Sequence, residues 1–305
     1  MKRPLIVIVG PTAVGKSRLA LELARRLDGE IIGADSRHIY RRMDIGSGKP
    51  TAEERRLVPH HLVDVVDIDE SFTVADYQRL AYQAIDGILE RGRLPFLVGG
   101  SGLHVAAVVC GLRPPQVPPN PALRAQLEAV AVSEGTDALV RELEALDPEA
   151  VRTIDRRNPR RLIRAIEVSR LAGQPFSRLR RREPPPYDIL QIGLTLDRAE
   201  LCRRVDARVD NMMASGLVEE VESLVAAGYS FDLPAMSGIG YREVGAYLRG
   251  EVDLGMALRG VKSATHRYAR RQYAWFHLDD PDIHWFQTEP WPGEAVARAV
   301  EAWVE

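Results

Sequence analysis

The chain has 305 residues, 45% of them hydrophobic, enough to fill the core of one large domain or of a main domain carrying a smaller one, which excludes global disorder. A formal net charge of −2 at pH 7 excludes a uniformly basic nucleic-acid binder, so the charge has to be read by its distribution. No apolar run reaches the roughly 20 residues of a membrane helix, and Cys110 and Cys202 form neither a metal-spaced cluster nor a secreted disulfide framework, which points to the cytoplasm and to no membrane.

In chain order, residues 5–9 are a short β-branched strand that runs into a glycine turn, and residues 17–27 carry a helical pattern. The alternation recurs, with strands expected at 30–33, 61–66, 95–98 and 189–195 and helices at 74–91 and 102–110. Strands separated by helices imply a parallel sheet covered on both faces. Two Pro-rich stretches, 113–121 and 183–187, interrupt that rhythm, and everything between them reads as helical. The expected organisation is therefore an α/β core in two parts, 1–114 and 186–305, around a helical insertion at 115–185. The second part continues through helical patterns, including 203–213, to a strand at 283–286 and a helix at 294–304, with no internal repeat.

Charge is concentrated in the insertion. From Arg152 to Arg182 there are eleven arginines against two acids, Asp155 and Glu167, a local charge of +9. A second segment, 259–271, holds five basic residues and no acids, and at 100° per residue Arg259, Lys262, His266 and Arg270 share one helical face opposite Val261, Tyr268 and Trp275. One such stripe is an ordinary solvated face, whereas two favour a polyanionic partner.

The stretch Gly10-Pro11-Thr12-Ala13-Val14-Gly15-Lys16-Ser17 fits the phosphate loop G-x-x-x-x-G-K-[ST], placed between a strand and a helix as its mechanism requires. The glycines let the backbone wrap an anion, the N–H groups and helix N-terminus face the phosphates, Lys16 adds a charge, and the Ser17 hydroxyl suits Mg²⁺. The loop implies a bound di- or triphosphate but leaves open which group is transferred. Asp35, after the second strand, is either a general base or a cap for the segment that follows. Ser101, in Gly99-Gly100-Ser101-Gly102, offers a hydroxyl at the same sheet edge or caps its own helix. Arg208 lies in a helical pattern where an exposed arginine is the usual outcome. His60 and His61 lack further metal-ligand spacing and read as capping or packing residues.

Taken together, the phosphate loop, Ala34-Asp35-Ser36-Arg37, Met43-Asp44-Ile45-Gly46, Pro59-His60-His61-Leu62, Leu97-Val98-Gly99-Gly100, Asn158-Pro159-Arg160-Arg161-Leu162, Gly240-Tyr241-Arg242 and Tyr268-Ala269-Arg270-Arg271-Gln272 resemble the tRNA dimethylallyltransferases, in family order along nearly the whole chain. The resemblance implies a P-loop NTPase-like fold and transfer of a dimethylallyl group from dimethylallyl diphosphate to N6 of the adenosine 3′ of the anticodon, position 37. Pyrophosphate would be released, with no ATP consumed and no protein partner implied. It makes Asp35 the acceptor of the N6 proton and Ser101 and Arg208 the partners of the diphosphate or reacting centre. Gly10, Thr12, Ala13, Val14, Gly15, Lys16 and Ser17 become the diphosphate cradle, with Ser17 on Mg²⁺. The tRNA would meet Asp35, Ser36, Arg37, His38, Ser101 and Arg242, and, in the insertion, Arg124, Arg160, Arg161 and Arg164.

The sequence departs from the family pattern at Ser101, where threonine is usual, at His104, where tyrosine is usual, and at Gly33 and His38. It lacks the zinc-finger extension of eukaryotic members and so resembles a bacterial type. Two other readings compete: a P-loop kinase of a nucleotide or small metabolite whose arginine-rich insertion is a lid, and a non-enzymatic RNA-binding module that senses a nucleotide. Both predict tight ATP binding, whereas the transferase predicts preference for an allylic diphosphate.

Overall fold

A computed structural model describes residues 3–305. The chain separates into two compact units, one of residues 110–184 and one holding the remainder.

The larger unit begins with β1 (Pro4–Val9), α1 (Lys16–Arg26), β2 (Gly29–Gly33), α2 (Ala52–Leu57), β3 (His60–His61), α3 (Val74–Glu90), β4 (Leu94–Val98) and α4 (Gly102–Val109). The smaller unit carries β5 (Leu112–Arg113), α5 (Pro121–Ser133), α6 (Thr136–Leu146), α7 (Pro148–Thr153), α8 (Pro159–Ala172), α9 (Phe176–Leu179) and β6 (Arg181–Arg182). The larger unit then resumes with β7 (Asp188–Thr195), α10 (Arg198–Ala214), α11 (Leu217–Ala226), α12 (Tyr241–Leu248), α13 (Leu254–Gln272), β8 (Ile283–Gln287) and α14 (Gly293–Val304).

Six parallel strands form the sheet in the order β3-β2-β4-β1-β7-β8. Its two-sided burial follows from strand periodicity: Ile6 and Ile8 of β1 point into a core shared with α1 and α14, while Leu5, Val7 and Val9 point into a second core shared with α3 and α4. A third apolar cluster joins Ile39 and Met43 to α11 and α12. Both β1 and β4 end at loops, 10–15 and 99–101, so the carboxyl edge of the sheet carries the residues of chemical interest.

The expected strand at 61–66 is shorter than its β-branched composition suggests. Only His60 and His61 pair with β2, and the chain then turns through positive φ at Leu62 and Asp64. Asp64 is turned to meet the buried Lys49 ammonium at 2.6 Å and Arg55 at 2.6 Å, and Val65 and Val66 donate to the Ile39 carbonyl instead. An inward ion pair has overridden the strand propensity.

The smaller unit packs α5, α6 and α8 around Leu127, Leu139, Leu143, Leu162 and Ile166. Proline at the first helical turn with Asn120, Asp147 and Asn158 as side-chain caps starts α5, α7 and α8. The short antiparallel pair β5–β6, at Arg181 and Arg182, was not evident from the arginine-rich sequence.

Candidate active site

The phosphate loop leaves β1 with Gly10 at φ 138°, passes Ala13 at φ 66° and enters α1 through Gly15 at φ 108°. These positive angles turn successive N–H groups toward one concavity. Val14 is fully buried, so it anchors the loop to the core by its side chain. Lys16 donates to the Pro11 carbonyl at 2.6 Å. Burial, and then the Arg208 guanidinium, lower its ammonium to about 7, against the opposing pull of Asp35. A half-buried lysine so perturbed is poised to gain from an anion.

Asp35 follows β2 at the same edge. One oxygen, Oδ1, accepts from the Arg37 N–H at 2.9 Å, so the capping alternative is realised, but Oδ2 makes no hydrogen bond among the described residues. Burial disfavours its charge, yet His38, the Arg37 N–H, His104 and Lys16 together outweigh that and hold the carboxyl below its ordinary value. It is ionised at neutral pH.

Ser101 does not cap α4 with its side chain. Its hydroxyl accepts from the Ser36 N–H at 3.1 Å and lies against the Tyr268 hydroxyl, whose pKa is pushed up by burial and by Asp35. Tyr268 is therefore neutral beside Ser101. His104, also on α4, is held neutral: burial lowers it to about 4, with Asp35 opposing, its Nδ1 has no hydrogen-bond partner, and its ring meets Tyr77 edge-on at 4.2 Å between centroids.

Arg208 is not an exposed helix arginine. It projects from α10 into the cleft, where burial lowers its pKa and Asp35 counters that. Gly48 explains how it fits: with φ +64°, an added Cβ there would lie 1.9 Å from the guanidinium. The loop bearing Gly48 is fixed by Glu220 of α11, which accepts from the N–H groups of Asp44, Ile45 and Gly46 at 2.9, 2.7 and 3.1 Å and from the Tyr241 hydroxyl at 2.7 Å.

One cleft of about 720 Å³ collects Thr12, Ala13, Gly15, Lys16, Ser17, Asp35, Ser36, Arg37, His38, Arg208 and Arg242. Gly10, Val14 and Ser101 are not among the residues that line it. Arg37 is tied to the Pro234 and Ala235 carbonyls at 2.9 and 3.0 Å, His38 Nε2 meets the Ser47 carbonyl at 3.2 Å, and Arg242 pairs with Glu243. Gln272, quoted in a motif but given no role from sequence, is buried between two walls: it accepts from the Thr12 N–H at 2.8 Å and donates to the Gly100 carbonyl at 2.9 Å. Its place in the block Tyr268-Ala269-Arg270-Arg271-Gln272 was the only signal for it in the sequence.

The arginines of the smaller unit divide in two. Glu167 is fully buried and accepts from Arg124 at 2.8 Å, Arg164 at 2.6 Å and the Asn120 N–H at 2.7 Å. Burial opposes its charge, but these partners overcome it and bring the carboxyl down to about 2. Arg124 and Arg164 are thus engaged inside their own unit, while Arg160 and Arg161 are exposed and make no ion pair among the described residues.

The basic stripe expected on α13 is partly engaged within the protein, while Arg259 and Arg270 are exposed and make no ion pair among the described residues. Lys262 pairs with Asp210 at 2.7 Å and His266 with Asp206 at 2.8 Å, both acids on α10. His60 and His61 hold no metal site either: His60 bonds the Val58 carbonyl at 2.8 Å and His61 meets Glu30 at 2.6 Å, and no cluster of three His, Cys, Asp or Glu suited to a metal occurs among the described residues. Nor is any helix among them long and apolar enough to cross a membrane.

The family model described as IPP transferase matches residues 38–279. A tRNA dimethylallyltransferase of Roseiflexus sp. (strain RS-1) is 52% identical over 273 residues, 90% of each chain, and one of Thermomicrobium roseum is 47% identical over 98% of this chain and 91% of its own. The solved structure of the tRNA isopentenylpyrophosphate transferase from Bacillus halodurans has a TM-score of 0.73 and 41% identity over 99% of this chain and 96% of that one. A eukaryotic dimethylallyltransferase acting on tRNA has a TM-score of 0.77 at 24% identity, covering 98% and 78%, which is a likeness of fold. The chain belongs to the IPP transferase family.

Proposed function

We propose that the protein transfers the dimethylallyl group of dimethylallyl diphosphate to N6 of the adenosine at position 37 of tRNA, releasing pyrophosphate. One observation carries this reading: at the mouth of a phosphate loop, two half-buried cations, Lys16 and Arg208, face a single ionised carboxylate, Asp35. Relatives at about half identity along nearly the whole chain bear the transferase name, and none of this favours the kinase alternative.

The chemistry follows from that arrangement. The allylic C–O bond breaks as the C–N6 bond forms, and the departing diphosphate keeps the bonding electrons. Backbone N–H groups of residues 13–17, Lys16 and Arg208 stabilise the charge that gathers there, the Thr12 N–H being held by Gln272. The attacking N6 becomes cationic and strongly acidic as it is alkylated, so even a weak base such as Asp35, at its unpartnered Oδ2, accepts the proton. Ser101 and Tyr268, hydrogen-bonding groups beside Asp35, orient the adenine, which must leave its stack to reach them.

The donor set suits Mg²⁺. The cleft offers the Ser17 hydroxyl and no acidic cage, as befits a cation that keeps waters and substrate phosphates as its other ligands. When bound, Mg²⁺ would neutralise part of the diphosphate charge. We assign the tRNA backbone to the smaller unit, with Arg160 and Arg161 as its free cations.

Calorimetry tests the assignment. The transferase should bind dimethylallyl diphosphate with Mg²⁺ more tightly than ATP and release pyrophosphate only with tRNA present, and Lys16→Ala should abolish both. Preferential ATP binding with turnover to ADP would install the kinase reading instead.

A further inference from the structure

Beside the phosphate loop lies a cation that neither the motif nor the mechanism above uses. Arg18, in the first turn of α1, lines the cleft, and its guanidinium sits 4.1 Å from the centroid of the Trp291 ring. Trp291 comes from the segment before α14, outside the residues matched by the family model. Its position is fixed on three sides. The indole N–H donates to Glu22 Oε2 at 2.9 Å, and the ring lies against Gly15, where an added Cβ would come within 3.0 Å. Its face carries Arg18, so the indole runs along the side of α1 formed by residues 15, 18 and 22.

Arg18 makes no ion pair among the described residues. Glu22, one turn further along, takes the indole proton rather than the guanidinium. The first turn of α1 contains no acid and carries both Lys16 and Arg18. Two cations at the positive end of a helix repel it in the absence of ligand and are compensated when an anion arrives. The indole face holds the guanidinium by a cation–π contact without neutralising it.

We propose that Arg18 is a further diphosphate-binding residue of this protein and that Trp291 is the positioning residue that holds it at the rim of the phosphate loop. The inference rests on the phosphate loop binding a diphosphate, as above. It adds a rim contact to the ligand's outer oxygens, supplied by a side chain the loop motif leaves unspecified.

The test is a double-mutant cycle read by calorimetric titration of inorganic pyrophosphate with Mg²⁺ into the full chain. Arg18→Gln should weaken binding about 10-fold and lower its salt dependence, as expected for one charge-assisted phosphate contact. Trp291→Ala should weaken binding in the parent but add less than twofold to Arg18→Gln, because its effect runs through Arg18. Arg18→Lys, which keeps the charge, should recover part of the loss. Lys16→Ala separates the failures. If Lys16→Ala abolishes binding while Arg18→Gln stays within twofold of the parent, or if the Trp291 and Arg18 effects simply add, the rim contact is wrong and the diphosphate site stands. If the parent binds no pyrophosphate, both are wrong.

Discussion

Asp35 combines two features that a general base in this reaction needs: it is ionised across the physiological range, and one of its oxygens is left without a protein partner. Asp35→Asn keeps the shape and the Arg37 contact but removes the proton acceptor, so single-turnover transfer should slow by roughly 10²-fold or more while diphosphate and tRNA still bind. Its place after a strand was legible in sequence, whereas the burial and the neighbours that hold it ionised were not. The same holds for Arg208, whose helical pattern suggested exposure until the loop carrying Gly48 brought its backbone against the guanidinium. His104 supplies a separate residue-scale prediction. Its pKa is lowered to about 4 from the ordinary 6.5 by burial, so the unfolded chain takes up a proton on His104 before the folded chain does. Stability is thus unaffected by this group above pH 6.5 and falls between pH 6.5 and about 4, by about 3 kcal/mol in all. His104→Phe should flatten that part of the denaturation midpoint against pH, and an unchanged slope would show that His104 does not resist protonation.

Elements carry the site through contacts distant in sequence. Gln272 ends α13 yet fixes Thr12 across 260 positions, and Glu220 of α11 fixes residues 44–46 from 174 to 176 positions away. Such bonds follow from the assembled sheet and its cover, and no local pattern announces them. The phosphate loop was legible because its turn chemistry and flanking strand and helix are contiguous. The α13 stripe was legible only in part: periodicity gave its face correctly, but Asp206 and Asp210 on α10 engage two of its members, while Arg259 and Arg270 make no ion pair among the described residues. Glu220→Ala should leave three backbone donors and the Tyr241 hydroxyl without their acceptor, costing on the order of 2–4 kcal/mol by chemical denaturation. Hydrogen exchange should then accelerate at Asp44, Ile45 and Gly46. Unchanged protection there would mean that Glu220 does not hold the loop.

At the scale of the molecule, a chain of net charge −2 divides unevenly. Residues 110–184 hold fourteen arginines against ten acids, a charge of +4, so the remainder stands at −6. Within that basic unit Arg124 and Arg164 belong to Glu167 whereas Arg160 and Arg161 are free, which is why the latter two are the proposed tRNA contacts. Replacing Arg160 and Arg161 together by alanine should weaken tRNA binding and reduce the slope of log K against log salt by about 1 to 2, leaving diphosphate affinity unchanged. An unaltered slope would remove these two residues from the interface. The central claim is tested most directly by incubating the protein and Mg²⁺ with radiolabelled dimethylallyl diphosphate and bulk unmodified tRNA, then digesting the RNA to nucleosides. The account predicts label on N6 of the adenosine 3′ of the anticodon, with pyrophosphate released in equal amount and none of either with Lys16→Ala; unlabelled tRNA, or label on any other nucleoside, would contradict it.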